Sequence, residues 1–195
     1  MELTKQNLEK VQIFAREHRQ DDVRRLALQA AKYPDMDFSF ALHQIKGWQV
    51  ACKKLPSWAA HEQLLYPRQL SMEQCSSEQT ARYKQQLVQR LCGKGLGEST
   101  LVDLTGGLGV DFSFMAQGFK KVYYVEQQTE LCALAKHNFP LLGLPSARVI
   151  RGDGTTFLRS MSDRAEVIYL DPARRDAAGS KTYAIEDCTP DVALL

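Results

Sequence analysis

The chain has 195 residues, 44% hydrophobic and 25% charged, with a formal net charge of +2. That composition suits a globular protein of one large domain, or a modest domain with a helical attachment, and supplies no global field that demands nucleic acid, although a local basic face stays open. A secreted, membrane-spanning or CxxC-type zinc or redox protein is not expected: "MELTKQNLEK" lacks a signal-peptide core, no run is long enough to span a bilayer, and Cys52, Cys75, Cys92, Cys132 and Cys188 form no CxxC pair.

Five scattered thiols without such a pair read as buried or idle cysteines in a reducing cytoplasm. Up to about residue 95 the pattern is helical. Leu8, Val11, Phe14 and Ala15 recur at helical spacing. "DDVRRLALQAAKYP" opens on acids suited to a helix N-terminus and predicts a helix that stops at Pro34. "DMDFSFALHQIKGWQVACKKLP" places Ala41, Ile45, Trp48, Cys52 and Leu55 on one stripe and stops at Pro56, with Ser57 placed to cap a short helix running toward Tyr66 and Pro67. In "SSEQTARYKQQLVQRLCGKG", Ser76 and Gln79 have capping-box spacing, Leu87, Val88 and Leu91 offer an apolar face, and Gly93 suits the C-terminal cap.

Beyond residue 95 short β-branched runs alternate with helical ones. "STLVDLT", "KVYYVE", "ARVIRG" and "AEVIYLDP" read as four strands. Between them lie helices from Val110 to Gly118, over "TELCALAKHNF", and across Phe157, Leu158 and Met161. The alternation predicts right-handed βαβ units and hence a parallel sheet covered on both faces. The expected division is an N-terminal helical domain over residues 1–75 and an α/β domain over 76–195.

In doubly wound sheets, ligands bind beyond the carboxyl ends of the strands. The first such turn here, "LVDLTGGLGVDF", follows Asp103 with Gly106, Gly107 and Gly109. Such glycines let a ligand lie against backbone, and the next helix offers free amides; a tight turn with no ligand is the plainer alternative. Glu126 ends the second strand, 23 residues after Asp103, where a carboxylate can accept from both hydroxyls of a ribose. Asp153 in "RGDGT" follows the third strand, within reach of an adenine edge, and Asp171-Pro172 ends the fourth. Each acid alone is more plainly a solvated loop acid or a helix cap; four on one rim with a glycine-rich first turn reverse that balance and point to a nucleoside ligand. The dinucleotide pattern GxGxxG lacks its third glycine, because Val110, Asp111 and Phe112 follow Gly109. A carboxylate at 103 would repel a pyrophosphate and suit an ammonium. S-adenosylmethionine carries an ammonium, a ribose and an adenine, and no phosphate.

At these residues the chain resembles the class I S-adenosylmethionine-dependent methyltransferases, α/β proteins with a Rossmann-like parallel sheet. "DLTGGLGVD" is similar to their first motif, with Thr105 where many members have the first glycine. "YYVEQ" is similar to the ribose-binding segment, "GDGT" to the adenine-side motif and "YLDPAR" to the catalytic motif. Through "QIKGWQVACKKLPSW" and "EQCSSEQTARYK" the resemblance extends to the bacterial group whose methyltransferase domain precedes a THUMP-like domain, and covers about residues 40–195. It implies that Asp103, Thr105, Gly106, Gly107 and Gly109 hold the methionine end of the cofactor, Glu126 the ribose, and Asp153 with Gly154 the adenine. It also implies that Asp171 and Pro172 present an amine or ring nitrogen for direct in-line methyl transfer, with no metal. THUMP-type domains bind RNA, so the implied substrate is a base nitrogen in RNA, which must be flipped out if paired. No THUMP-like segment is present in this chain.

Two departures stand out. Where amino-group methyltransferases often carry Pro-Pro-aromatic after the acid, this chain has Pro172, Ala173 and Arg174. The guanidinium of Arg174, with Arg175 beside it, can stack on a base or grip a phosphate, or simply form a salt-bridged loop. Second, about four strands are legible where a full sheet of the family has more, so an N-terminal piece of a longer protein, or an edge covered by another chain, is expected. Thr80 or Lys84 is a candidate contact for the cofactor carboxylate, unless that helix merely packs on the sheet. Lys46, Lys53 and Lys54 with Trp48 and Trp58 form an RNA-facing patch or, more plainly, a solvated face over core tryptophans. The alternatives in function are a non-catalytic module binding S-adenosylmethionine or RNA, and an NAD-dependent oxidoreductase, against which the glycine spacing and Asp103 already argue.

Overall fold

The computed structural model describes residues 5–67 and 69–172, and the chain divides into two compact units between Thr80 and Ala81. No helix among the described residues is long and apolar enough to cross a membrane.

The first unit is helical: α1 (Lys5–Glu17), α2 (Val23–Ala27), α3 (Phe38–Lys54), α4 (Pro56–Ala59) and α5 (Gln69–Gln74). Val11, Phe14, Leu26, Phe38, Ala41 and Ile45 form its core, where Phe14 meets the rings of Tyr33 and Phe38 edge-on. The helix predicted to run to Pro34 ends early. Asp22 caps α2 by accepting from the Arg24 and Arg25 amides, but only Leu26 of that helix is buried. Leu28 is exposed, and the chain tightens into a 3-10 turn at Ala30–Lys32. With no second apolar anchor, helix propensity alone does not sustain the run. In α3 the buried face includes Gln44, Gly47 and Ala51, which leaves Trp48 half-buried and Cys52 exposed rather than on the core stripe. Tyr66 causes this turn of the face. A Cβ at Gly47 would lie 2.2 Å from the Tyr66 Cβ, and the Gln44 amide exchanges hydrogen bonds with the Tyr66 backbone at 2.8 and 2.9 Å.

The boundary between the units falls inside α6 (Glu78–Cys92). Its cap is Ser77, whose hydroxyl accepts from the Thr80 amide at 3.2 Å, one residue later than the spacing of Ser76 and Gln79 suggests. The apolar face differs too. Val88 joins the core of the second unit, but Leu87 and Leu91 are 45% and 76% exposed and share a stripe with exposed Tyr83. Positions 81, 84, 88 and 92 face inward at helical spacing, and 83, 87 and 91 are offset from them.

The second unit contains β1 (Thr100–Asp103), α7 (Val110–Met115), β2 (Lys121–Glu126), α8 (Thr129–Leu141), β3 (Arg148–Arg151), α9 (Gly154–Ser160) and β4 (Val167–Tyr169). All pairings are parallel and the strand order is β3-β2-β1-β4, so the α/β fold read from the alternation is the one observed. The strands are short; β1 is buried throughout and β2 in all but its end residues, as parallel strands covered on both faces are, whereas β3 and β4 are only partly buried. Leu101, Val122 and Tyr124 face a core with Phe112, Met115 and Phe139, while Val102, Leu104, Tyr123 and Val125 face Ile150, Phe157 and Leu158. After β3 at one edge the chain crosses to β4 at the other. The topological switch point therefore lies between β1 and β4, the place beyond the strand ends where sheets of this kind bind ligands.

Candidate functional site

Parallel strands put all four carboxyl ends on one rim. Asp103 and Glu126 are the last residues of β1 and β2, and Asp153 and Asp171 stand two residues beyond β3 and β4. The structure thus brings the four sequence-predicted acids to one edge of the sheet.

Asp103 is 1% exposed. Its Oδ1 accepts from the Thr105 amide at 2.9 Å and, at a long 3.4 Å, from the Thr105 hydroxyl. Burial pushes its carboxyl up to about 7, reinforced by the charges of Asp111 and Asp171 and opposed by the bonds from Thr105. Because the native state holds this proton more tightly than the unfolded chain, the linkage has a definite sign. Below about pH 4 both states are protonated and the group is neutral in the balance; as pH rises toward about 7 the unfolded chain ionises first, and stability falls by about 1.4 kcal/mol per unit of separation. Asp103→Asn is expected to abolish that slope and to be more stable than the native sequence above about pH 7, as urea midpoints across the range would show.

The three glycines have different causes. A Cβ at Gly106 would lie 2.3 Å from the buried Tyr124 ring, and one at Gly109 would lie 2.9 Å from Phe139. Both positions are therefore emptied to admit core rings, and Gly109 also takes φ +80°. Of the three, only Gly107, at φ +56°, has no ring against it: a Cβ there would meet the Thr105 carbonyl oxygen at an ordinary 3.7 Å, so its backbone conformation is what favours glycine. Its peptide is gripped by two side chains from one face of β2: Glu126 Oε2 accepts the Gly107 N–H at 2.8 Å, and the Tyr124 hydroxyl donates to the Gly107 carbonyl. Positions 124 and 126 share that face because side chains alternate along a strand. Burial pushes the Tyr124 phenol well up, so it remains a donor. The other oxygen of Glu126 accepts from the Gln128 amide at 2.7 Å, at the start of α8.

Asp153 is the N-cap of α9. Its Oδ1 accepts from the Thr156 amide at 2.9 Å and from the Thr155 and Thr156 hydroxyls, bonds that hold its carboxyl below the ordinary range, with the Thr155 hydroxyl foremost. Oδ2 faces outward toward Gln127 Nε2 at 3.3 Å. Gly154 is buried with its α-carbon against β1, where a Cβ would fall 2.3 Å from the Leu104 carbonyl oxygen. Asp171 is exposed and Pro172 half-buried; the Asp171 amide donates to Thr105 Oγ1 at 2.7 Å. Arg174 and Arg175 lie outside the described residues.

A cluster behind the β1 turn was only half legible. Lys84 of α6 donates to Asp111 Oδ2 at 2.8 Å and to the Tyr169 hydroxyl at 2.6 Å, and that hydroxyl donates to Asp111 at 3.2 Å. Tyr169 precedes Asp171 by two residues on the β4 segment, a spacing that could have flagged it. Lys84 is thus engaged with Asp111, while the Thr80 hydroxyl pairs with Ser77. Among the patch residues, Trp58 is core, Trp48 donates to the Ala59 carbonyl, and Lys54 donates to the Met72 and Glu73 carbonyls that end α5. Trp58 fits the plain reading of that patch, whereas Trp48 is half-buried and Lys54 is engaged with backbone carbonyls rather than solvated.

No protein-family model matches the chain. An uncharacterized RNA methyltransferase of Caldanaerobacter subterraneus is 33% identical over 92 residues, 47% of this chain and 20% of the relative. A second uncharacterized RNA methyltransferase, from Halalkalibacterium halodurans, is 32% identical over 98 residues, covering 49% and 21%. A crystal structure of a Porphyromonas gingivalis protein assigned as a methyltransferase superposes with a TM-score of 0.79 at 30% identity, over 98% of this chain and 46% of that one. The chain therefore spans about a fifth of the curated relatives it matches and less than half of the solved one. In strand order, in the turn after β1 and in these matches, the chain is similar to methyltransferases of this α/β fold.

Proposed function

We propose that the protein transfers a methyl group from S-adenosylmethionine to a base nitrogen in RNA. The observation that carries the cofactor reading is Asp103, a buried carboxyl pushed up to about 7 with Asp111 and Asp171 nearby. A cationic ligand relieves such a site, and a pyrophosphate aggravates it. The unfilled acceptor positions of Glu126, beside the Gly107 turn, suit a ribose, since a carboxylate has more lone pairs than its two backbone partners use. Asp153 Oδ2, which accepts from the Gln127 side chain, is the acceptor assigned to the adenine side.

The cofactor supplies an activated methyl group, so the chain's own work is placement. Asp103 and the turn from Thr105 to Gly109 hold the methionine end, Glu126 holds the ribose, and Asp171 accepts a hydrogen bond from the target amine beside the rigid Pro172. Alignment of this kind contributes on the order of 7–11 kcal/mol. The RNA target is supported by the names of the two curated relatives.

Calorimetric titration with S-adenosylmethionine, S-adenosylhomocysteine and NAD tests the cofactor. The first two are expected to bind, the former more tightly at about pH 8 than at about pH 6, because the ligand's ammonium favours ionised Asp103 and binding releases its proton. Binding of NAD alone would overturn the reading in favour of an oxidoreductase. Transfer of a radiolabelled methyl group into bulk RNA tests the substrate; cofactor binding without any transfer would leave a binding module.

A further inference from the structure

We infer that Thr105 is a positioning residue whose hydroxyl couples the cofactor turn after β1 to the substrate loop after β4. The inference rests on the methyltransferase reading for what those two segments do, and on the geometry for how they are joined. The backbone ladder between β1 and β4 ends where the Leu104 amide donates to the Tyr169 carbonyl at 3.1 Å. One rung further, the Asp171 amide finds no strand carbonyl and donates instead to Thr105 Oγ1 at 2.7 Å. The Leu104 carbonyl oxygen that could have served there is packed against Gly154. Thr105 Oγ1 accepts from Asp171 and has one proton to give, and Asp103 Oδ1 stands 3.4 Å away to take it. The Thr105 amide donates to the same oxygen at 2.9 Å. A single side chain thus ties the buried acid of the turn to the backbone of the segment that carries Asp171 and Pro172, across the switch point where main-chain pairing has stopped. Glycine, which the family often has here, cannot make this link.

The test uses the full chain, its Thr105→Val and Thr105→Ser variants, and S-adenosylhomocysteine as probe, read by calorimetry and by the Asp171 amide in NMR exchange and shift measurements. Valine keeps the volume and loses the hydroxyl; serine keeps the hydroxyl. In the native sequence the probe is expected to shift the Asp171 amide and slow its exchange. In the valine variant, with the probe at saturating concentration, Asp171 is expected to exchange about tenfold faster and to respond to the probe no longer. Serine is expected to restore both, which a merely space-filling role would not do. If Asp171 responds to the probe in the valine variant as in the native chain, the coupling is refuted. If the native chain binds no probe, the cofactor reading fails separately, and the link is judged on exchange alone: equal Asp171 exchange with threonine and valine overturns it, and faster exchange with valine upholds the link.

Discussion

Glu126→Ala is expected to weaken binding of S-adenosylmethionine and S-adenosylhomocysteine about a hundredfold, near 2.7 kcal/mol. Two losses add. The ribose loses a charged acceptor, and hydrogen bonds to charged groups are worth about 1.5–3 kcal/mol each. The Gly107 amide also loses the oxygen that holds the turn in its left-handed conformation. Glutamine is not a mild replacement. Both oxygens accept backbone N–H groups, from Gly107 and Gln128, so whichever way the amide is turned its NH₂ must face a donor. About a tenfold loss is expected for Glu126→Gln. Calorimetry reads both, with the urea midpoint as a check that the fold is intact. Alanine binding within twofold of the native chain would mean that the ribose acceptor lies elsewhere.

Gly154→Ala carries the largest expected cost in stability. The added methyl would stand 2.3 Å from the Leu104 carbonyl oxygen and 2.9 Å from its Cβ. Leu104 is buried and its amide is bonded to β4, so the obstacle is backbone that cannot rotate aside. Overpacking of a flexible side chain costs about 1–3 kcal/mol, and this contact belongs at or above the top of that range. The control is two residues away. A methyl added at Gly152, in the same "RGDGT", would meet nothing within 4 Å, and Gly152→Ala is expected to stay within about 0.5 kcal/mol. Equal urea midpoints for the two variants would show that α9 can slide away from Leu104, and that the Asp153 segment is not fixed by this contact.

The alternation of short β-branched runs with helices made the sheet and its strand ends legible, and most firmly for β1 and β2, because burial on both faces leaves few other sequences for a central parallel strand. Glu126 and Asp171 were legible for the same reason: once the strands are placed, the rim is placed. Other features depended on partners far along the chain. The separate reasons for Gly106 and Gly109 lie in Tyr124 and Phe139, and no local pattern around the glycines names those rings. Leu87 and Leu91 counted as an inward face because hydrophobicity was read without knowing which stripe the core would take; Val88 took it. Asp153 caps α9 through one oxygen and accepts from the Gln127 side chain with the other, and neither partner is named by the local sequence pattern alone.

The Gly106–Tyr124 contact has a consequence for how such a chain can change. Gly106 has no left-handed φ to protect, so the tyrosine ring is what excludes a side chain there. A relative with a small residue in place of Tyr124 could accept alanine at 106, and the two positions would drift as one choice of volume, 18 residues apart in sequence. In that respect a glycine of the motif is the imprint of a ring on the neighbouring strand.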